Sequence, residues 1–358
     1  MATQPISKQT VSNQISPDAV IKDESLLGGY AYQIIHQQSK QLFKLRSQVL
    51  ADTDPEPLHQ MRISTRRLRS ALALFSDVVA TDGHPQPDPQ LGKEASNRKL
   101  AKAVKKLTKK LGNVRDLDVM RQWLKQAMTA DPEVNDSMAS SFSKAEKKTI
   151  KALLKKLKKR RAKQFSKLKK ALKGKAYKKL ARPLKQWIKS PIFYPAAQQP
   201  AKREAIQRLI LPISKLLQHP AWLVATREHG DQVTPVKNIT LTKLNQLFEQ
   251  DGELLHDLRK QIKQLRYQTE FFRGVYDITY AAQVREFRNL QSILGQLQDQ
   301  IVIAQFLNDE LGSNWAVKLP TIKKTFQDSR LDLWQQWQPH QRKYLNLRRS
   351  LPNASLAG

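Results

Sequence analysis

Cysteine is absent from the chain, and glycine supplies only 12 of its 358 residues. No disulfide framework, thiolate metal site or cysteine nucleophile is therefore available. Scarce glycine argues against a phosphate-cradling loop, and neither GxxxxGKS/T nor GxGxxG occurs. Acids are also in deficit, 31 against 63 Lys and Arg, which leaves a formal charge of +32 and a pI near 10.2. Such an imbalance calls for a polyanionic partner: nucleic acid, an anionic membrane surface or an inorganic polyanion. No run approaches the ~18 consecutive apolar residues of a membrane span. The polar opening MATQPISKQTVSNQISPD lacks the apolar core of a secretory signal. A soluble cytoplasmic protein is the resulting expectation. Apolar residues still make up 40% of the chain, so the charge does not read as disorder.

The length suggests about two domains. Residues 1–24, rich in Ser, Thr, Gln and Asn, read as a flexible tail, and 351–358 as a short C-terminal one. From Leu26 onward apolar residues recur three and four apart, and alternating β-branched runs are scarce, so the fold class is all-α. Pro55 and Pro57 precede a helix, and Pro85, Pro87 and Pro89 mark a loop. Pro191, Pro195 and Pro200 mark a break that separates a first helical half, 25–195, from a second, 196–350. Pro183, Pro212 and Pro339 fall inside helical patterns and are expected to end or kink them.

Charge is distributed unevenly. Residues 1–200 hold 41 Lys and Arg against 16 acids, hence +25; residues 201–358 hold 22 against 15, hence +7. Lys144–Lys189 alone holds 21 basic residues and one acid, Glu146. Ile150, Leu153, Leu157, Phe165, Leu168 and Leu172 recur through it at helical spacing, which makes it a basic amphipathic helix.

An internal repeat carries the strongest signal. LHQMRISTRRLRSALALF, Leu58 to Phe75, matches LLHDLRKQIKQLRYQTEFF, Leu254 to Phe272. At one offset of 197, His59 aligns with His256, Arg62 with Arg259, Arg66 with Lys263, Arg69 with Arg266 and Phe75 with Phe272. Downstream, LGNVRDLDV from Leu111 matches LGQLQDQIV from Leu294 at an offset of 183. On a helix, His59, Arg62, Arg66 and Arg69 share a stripe about 80° wide, opposite Met61, Leu68, Leu72 and Phe75. His256, Arg259, Lys263 and Arg266 repeat it, opposite Leu258, Leu265 and Phe272. A second basic face holds Arg98, Lys102, Lys105 and Lys109, with Arg285 and Arg288 at the positions equivalent to Lys102 and Lys105. Taken alone, that second face reads as an ordinary solvated surface. The His59 stripe does not, because a solvated face mixes signs and four aligned positions stay non-acidic in both halves. Arginine also grips oxyanions through a planar fork.

These segments resemble the recurring helices of the CHAD domain, the conserved-histidine α-helical domain, over roughly Leu26 to Leu347. The resemblance implies two four-helix bundles related by a pseudo-twofold, with basic residues of both lining a central cavity. It further implies a non-enzymatic protein that binds inorganic polyphosphate and, in some members, associates with polyphosphate granules. Carried over by position, His59, Arg62, Arg66, Arg69, His256, Arg259, Lys263 and Arg266 line that cavity. Lys102, Lys105, Lys109, Arg285 and Arg288 are weaker additions. Free sulfate or phosphate would suit the same site. The ExExK motif of the triphosphate-tunnel domains that often accompany CHAD is missing. The stretch from Ala221 to Thr242 and the lysine density of Lys144–Lys189 fall outside the family pattern.

Competing functions leave weaker traces. None of the seven histidines forms an HxxxH or HExxH pair, so no metal or other cofactor is expected. A metal-dependent hydrolase needs clustered carboxylates; Asp116 and Asp118 read instead as arginine partners or helix caps. Nucleic acid is the serious rival, since the lysine-rich helix would attract any phosphate chain at low salt. Trp315, Trp334 and Trp337, at helical spacing near the C-terminus, read as core rather than as stacking platforms. Arg161 and Arg330 lie on apolar helix faces and either reach solvent or point into the cavity.

Overall fold

The structure is a computed structural model that describes residues 25–81, 97–129, 142–230, 232–273 and 278–350. The two expected tails and the loop of Pro85, Pro87 and Pro89 lie outside the described residues. Ten α-helices account for most of what is described: α1 (Leu27–Ala51), α2 (Glu56–Leu74), α3 (Arg98–Thr129), α4 (Lys144–Lys173), α5 (Lys175–Lys189), α6 (Ala201–Leu217), α7 (Leu241–Phe271), α8 (Ile278–Leu311), α9 (Trp315–Lys318) and α10 (Pro320–Ser350). The helices run through Pro183, Pro212 and Pro339, so none of the three ends its helix.

The chain forms two compact units. One takes the described residues up to Lys125, those of Leu154–Arg208, and the end of α7 from Glu270; the other takes Gln126–Leu153, Leu209–Thr269 and the described residues beyond. In the first unit α1 packs along α2. The intervening corner turns at Asp52, which is in the left-handed region (φ 55°) and donates its N–H to Gln48 O. The apolar stripe of α2 is core as its spacing predicts: Leu58, Met61, Leu68 and Leu72 are at most 1% exposed. The proline-marked break after α5 is laced into this unit. Leu27 N–H donates to Gln199 O at 2.9 Å, Ala80 N–H to Ile192 O at 3.0 Å, and Tyr194 N–H to Val78 O at 2.9 Å.

The lysine-rich stretch is two helices rather than one. A Cβ at Gly174 would meet Lys170 O at 2.8 Å, so only glycine fits where α4 gives way to α5. Ile150, Leu153, Leu157, Leu168 and Leu172 are all buried, as their period demands. Arg161, its side chain 15% exposed, is held by carboxylates rather than extended into water. Its terminal nitrogens grip the Asp52 carboxylate, one of them at 2.6 Å, and its Nε donates to Asp118 Oδ1 at 2.8 Å. One guanidinium thus ties α4 to the α1–α2 corner and to α3.

In the second unit α8 packs on α10. The stretch from Ala221 to Thr242 contains the described strands, an antiparallel hairpin of β1 (Thr226–His229) and β2 (Gln232–Pro235). Buried Gln341 of α10 holds its approach, donating to Trp222 O at 2.9 Å and Val224 O at 2.7 Å. Trp222 stacks on Trp337 and Tyr344. Trp334 and Trp337 are buried core, as their spacing suggests, whereas Trp315 is half-buried in α9. Arg330 bonds the amide oxygens of Asn245 (2.5 Å) and Gln300 (3.4 Å), and burial lowers its basicity.

Glu146, the one acid of the lysine-rich stretch, caps α4. Ser143 N–H donates to its carboxylate at 2.9 Å, and its own N–H donates to Ser143 Oγ at 3.2 Å, a reciprocal capping box. The carboxylate also accepts Thr321 N–H at 3.0 Å, which joins the starts of α4 and α10. Burial raises its pKa, but the bonds from Ser143 and Thr321 outweigh burial and the net shift is downward. A carboxylate shifted down stabilises the fold above its unfolded pKa and loses that contribution as pH falls through its folded one. Glu146→Ala should cost about 2–3 kcal/mol in urea melts at neutral pH, by loss of the cap and orphaned donors. The difference from wild type should shrink below about pH 4.5. A constant difference into acid would show that charge plays no part.

Candidate functional site

In the first unit the predicted residues come from α2, and their setting comes from α3. His59, Arg62 and Arg66 are half-buried on the polar face of α2, while Arg69 is exposed. Arg62 lies against α3 where Gly112 has no side chain: a Cβ there would sit 3.4 Å from Arg62 Nε. Its terminal nitrogen reaches Asp116 Oδ1 at 3.2 Å. That carboxylate is 64% exposed, so the ion pair is a weak one. Asp118 pairs with Arg161 and lies 4.0 Å from Arg121. Both aspartates thus have arginine partners, as expected of structural carboxylates.

His59 has a buried Nδ1 with no hydrogen-bond partner among the described residues. Its pKa is lowered, first by burial, then by the charge of Arg115, with Arg62 and Arg66 adding and Glu56 opposing. Burial leads because the ring sits in the α2–α3 seam.

The second unit repeats the arrangement on α7 and α8. His256, Arg259, Lys263 and Arg266 are half-buried. Gly295 of α8 stands where Gly112 stands on α3, and a Cβ there would lie 3.8 Å from Arg259 Nε. Here the histidine has a partner: His256 Nδ1 and Gln298 Oε1 are 2.8 Å apart, which makes Nδ1 the donor. Arg266 donates from Nε to Gln291 Oε1 at 2.8 Å, and its guanidinium lies over the Tyr267 ring.

The repeat offset pairs Arg115 with Gln298. Both face the repeated histidine, one as a repelling cation and one as a hydrogen-bond acceptor. Arg115 thus joins the candidate site, although the α2 pattern by itself does not single it out; its position in the repeated LGNVRD segment is the signal that marks it. Gly112 and Gly295 are two more, marked by the same repeat. The second basic face is not gathered in the same way. Lys102, Lys105, Lys109, Arg285 and Arg288 are all exposed. Lys102 borders a different hollow, described below. Among the described residues no group of three or more His, Asp and Glu is placed to hold a metal.

The glycine beneath each arginine makes a graded expectation. Alanine at Gly112 or Gly295 meets only ordinary contacts and should stabilise its helix by up to ~1 kcal/mol. Leucine at Gly112 would occupy the Arg62 position and should weaken oligophosphate binding as much as Arg62→Ala does, with helicity unchanged by circular dichroism. Full affinity in Gly112→Leu would remove Arg62 from the site.

The CHAD domain family matches residues 33–308 of the chain. No curated protein sequence matches it. Among solved structures it is similar to the crystal structure of the CHAD domain from the plant Ricinus communis, with 23% identity and a TM-score of 0.56 over 92% of this chain and 94% of that one. It is also similar to PptA from Streptomyces chartreusis, with 16% identity and a TM-score of 0.57 over 88% of this chain and 100% of that one. At these identities the likeness concerns the fold. With the family match extending over most of its length, the chain belongs to the CHAD domain family.

Proposed function

We propose that the chain binds inorganic polyphosphate through the repeated basic faces of α2 and α7, with Arg115 and the glycine-seated Arg62 and Arg259 as central contacts. Family membership supports the ligand, and the duplicated histidine–arginine–glycine arrangement carries the placement. Polyphosphate offers about one negative charge per phosphate and no bases to read. Recognition then rests on charge and on hydrogen bonds to oxygen, as in sequence-independent phosphate contacts. Binding without catalysis is the reading: the site groups are cations and imidazoles, and the carboxylate against Arg62, Asp116, is paired with it. Such a protein would work where polyphosphate accumulates, in the cytoplasm and at polyphosphate granules. No helix of the described residues is long and apolar enough to cross a membrane.

The rival reading, nonspecific nucleic-acid binding, is favoured by the exposed lysines of α4 and α5. Arg62→Ala/Arg66→Ala/Arg259→Ala should lower polyphosphate affinity by about 1000-fold or more at physiological salt, since three charged hydrogen bonds at about 1.5–3 kcal/mol each amount to about 4.5–9 kcal/mol. Duplex DNA at equal phosphate concentration should fail to displace long-chain polyphosphate from the wild type. Unchanged affinity in the triple variant, or displacement by DNA, would move binding to the lysine-rich helices.

His59 gives a second test. Its pKa in the free fold lies below the unfolded value, so the free protein loses stability as pH falls below about 6.5. A bound polyanion favours the imidazolium, so binding takes up protons and tightens in mild acid. Affinity at fixed salt should rise several-fold from pH 8 to pH 5.5, and His59→Gln should flatten that slope. Equal affinity across the range would exclude His59 from the contact.

A further inference from the structure

The first unit contains a hollow of about 1070 Å³ between α3, the end of α4 and α5. It is separate from the α2–α3 seam, since none of His59, Arg62, Arg66 or Arg115 lines it. Its floor is apolar: Leu100, Ala103, Leu107, Trp187 and Ile192. Trp187 donates its indole N–H to Ile192 O at 3.2 Å, so what it turns to the hollow needs no polar partner.

The rim has the opposite character. Lys99, Lys102, Lys106 and Lys110 recur along α3, and Lys175 and Lys179 stand on α5. No carboxylate occurs among the described lining residues. Lysine stems extend an apolar wall while their ammonium groups stay in water. A hollow of this size with an apolar floor and a cationic rim, lined also by the uncharged polar side chains of Thr81, Tyr177, Gln186 and Ser190, has the form of a small-molecule pocket. Polyphosphate would find partners on the rim but nothing on the floor. An uncharged hydrocarbon would use the floor but not the six lysines. A ligand that matches both has a hydrocarbon chain ending in an anion.

We propose that this hollow binds a single-chain anionic amphiphile, its alkyl chain on the Leu100–Ala103–Leu107 and Trp187 floor and its carboxylate or phosphate head among Lys106, Lys110 and Lys179. The lysine stems lie along the chain, and the ammonium groups at the mouth hold the head. This inference does not depend on where polyphosphate binds.

The probe is dodecyl phosphate, titrated calorimetrically below its micelle concentration, beside dodecyltrimethylammonium, inorganic phosphate and phosphatidylglycerol vesicles. The expected result is saturable one-to-one binding of dodecyl phosphate, at least about tenfold tighter than either the cationic amphiphile or inorganic phosphate. Ala103→Trp, which fills the floor, should abolish it and leave polyphosphate binding intact. Lys106→Gln/Lys179→Gln, which leaves the core untouched, should weaken it at least about fivefold even if the tryptophan variant does not fold. Equal binding of the two amphiphiles would overturn the proposal, as would binding unaffected by the lysine pair. Adsorption to vesicles without binding of the monomer would overturn it too, since that marks a surface attraction and no pocket.

Discussion

Like-charge repulsion is the constraint under which this chain folds. With 63 cations against 31 acids, an acid left idle on the surface would relieve little, whereas one placed between elements holds the fold. Several acids sit between elements. Asp52 and Asp118 converge on Arg161. Asp77 takes both terminal nitrogens of Arg208, which also donates to Leu74 O at the end of α2. Asp257 accepts from Lys260 and His219, which hold its carboxyl at about 2. Most of the remaining cations stand outward, and others, among them Arg62, Arg66, Arg115 and Arg259, are half-buried. Those half-buried cations are where a polyanion would relieve the most strain.

The sequence made some of this legible and hid the rest, for identifiable reasons. Periodicity reports which face of a helix is apolar, so the cores of α2 and α4 could be read directly. Repetition reports which polar positions are held in common, so the stripes of α2 and α7 stood out from a background of lysine. Neither signal reports what lies across a helix interface. Arg161 is separated from Asp52 by 109 residues, and no local pattern distinguishes an arginine that meets two carboxylates from one that reaches water. The glycine under each arginine is similar: the repeat LG was visible, but its purpose depends on a guanidinium arriving from another helix. The break at Gly174 was missed because the apolar period continues on both sides of it. Pro183, Pro212 and Pro339 do not end α5, α6 and α10, which continue through them.

The two copies of the motif have drifted apart in chemistry while keeping their frame. Glycine beneath arginine is retained in both. The residue facing the histidine has become a cation in one and an amide in the other, so one imidazole is destabilised as a cation and the other is anchored as a donor. The charge imbalance follows the same direction, +25 in residues 1–200 and +7 in residues 201–358. In one copy the imidazole is held below its ordinary pKa, and in the other it is fixed by its own hydrogen bond.

Glu146 has a further consequence. Every helix carries a partial positive charge at its N-terminus, from N–H groups that lack an intrahelical acceptor. The starts of α4 and α10 converge on this one carboxylate, which answers N–H groups from both. Two like macrodipole ends would otherwise face each other in a chain already crowded with positive charge. The single acid in a stretch of 21 cations thus acts as the counterion of two helices at once.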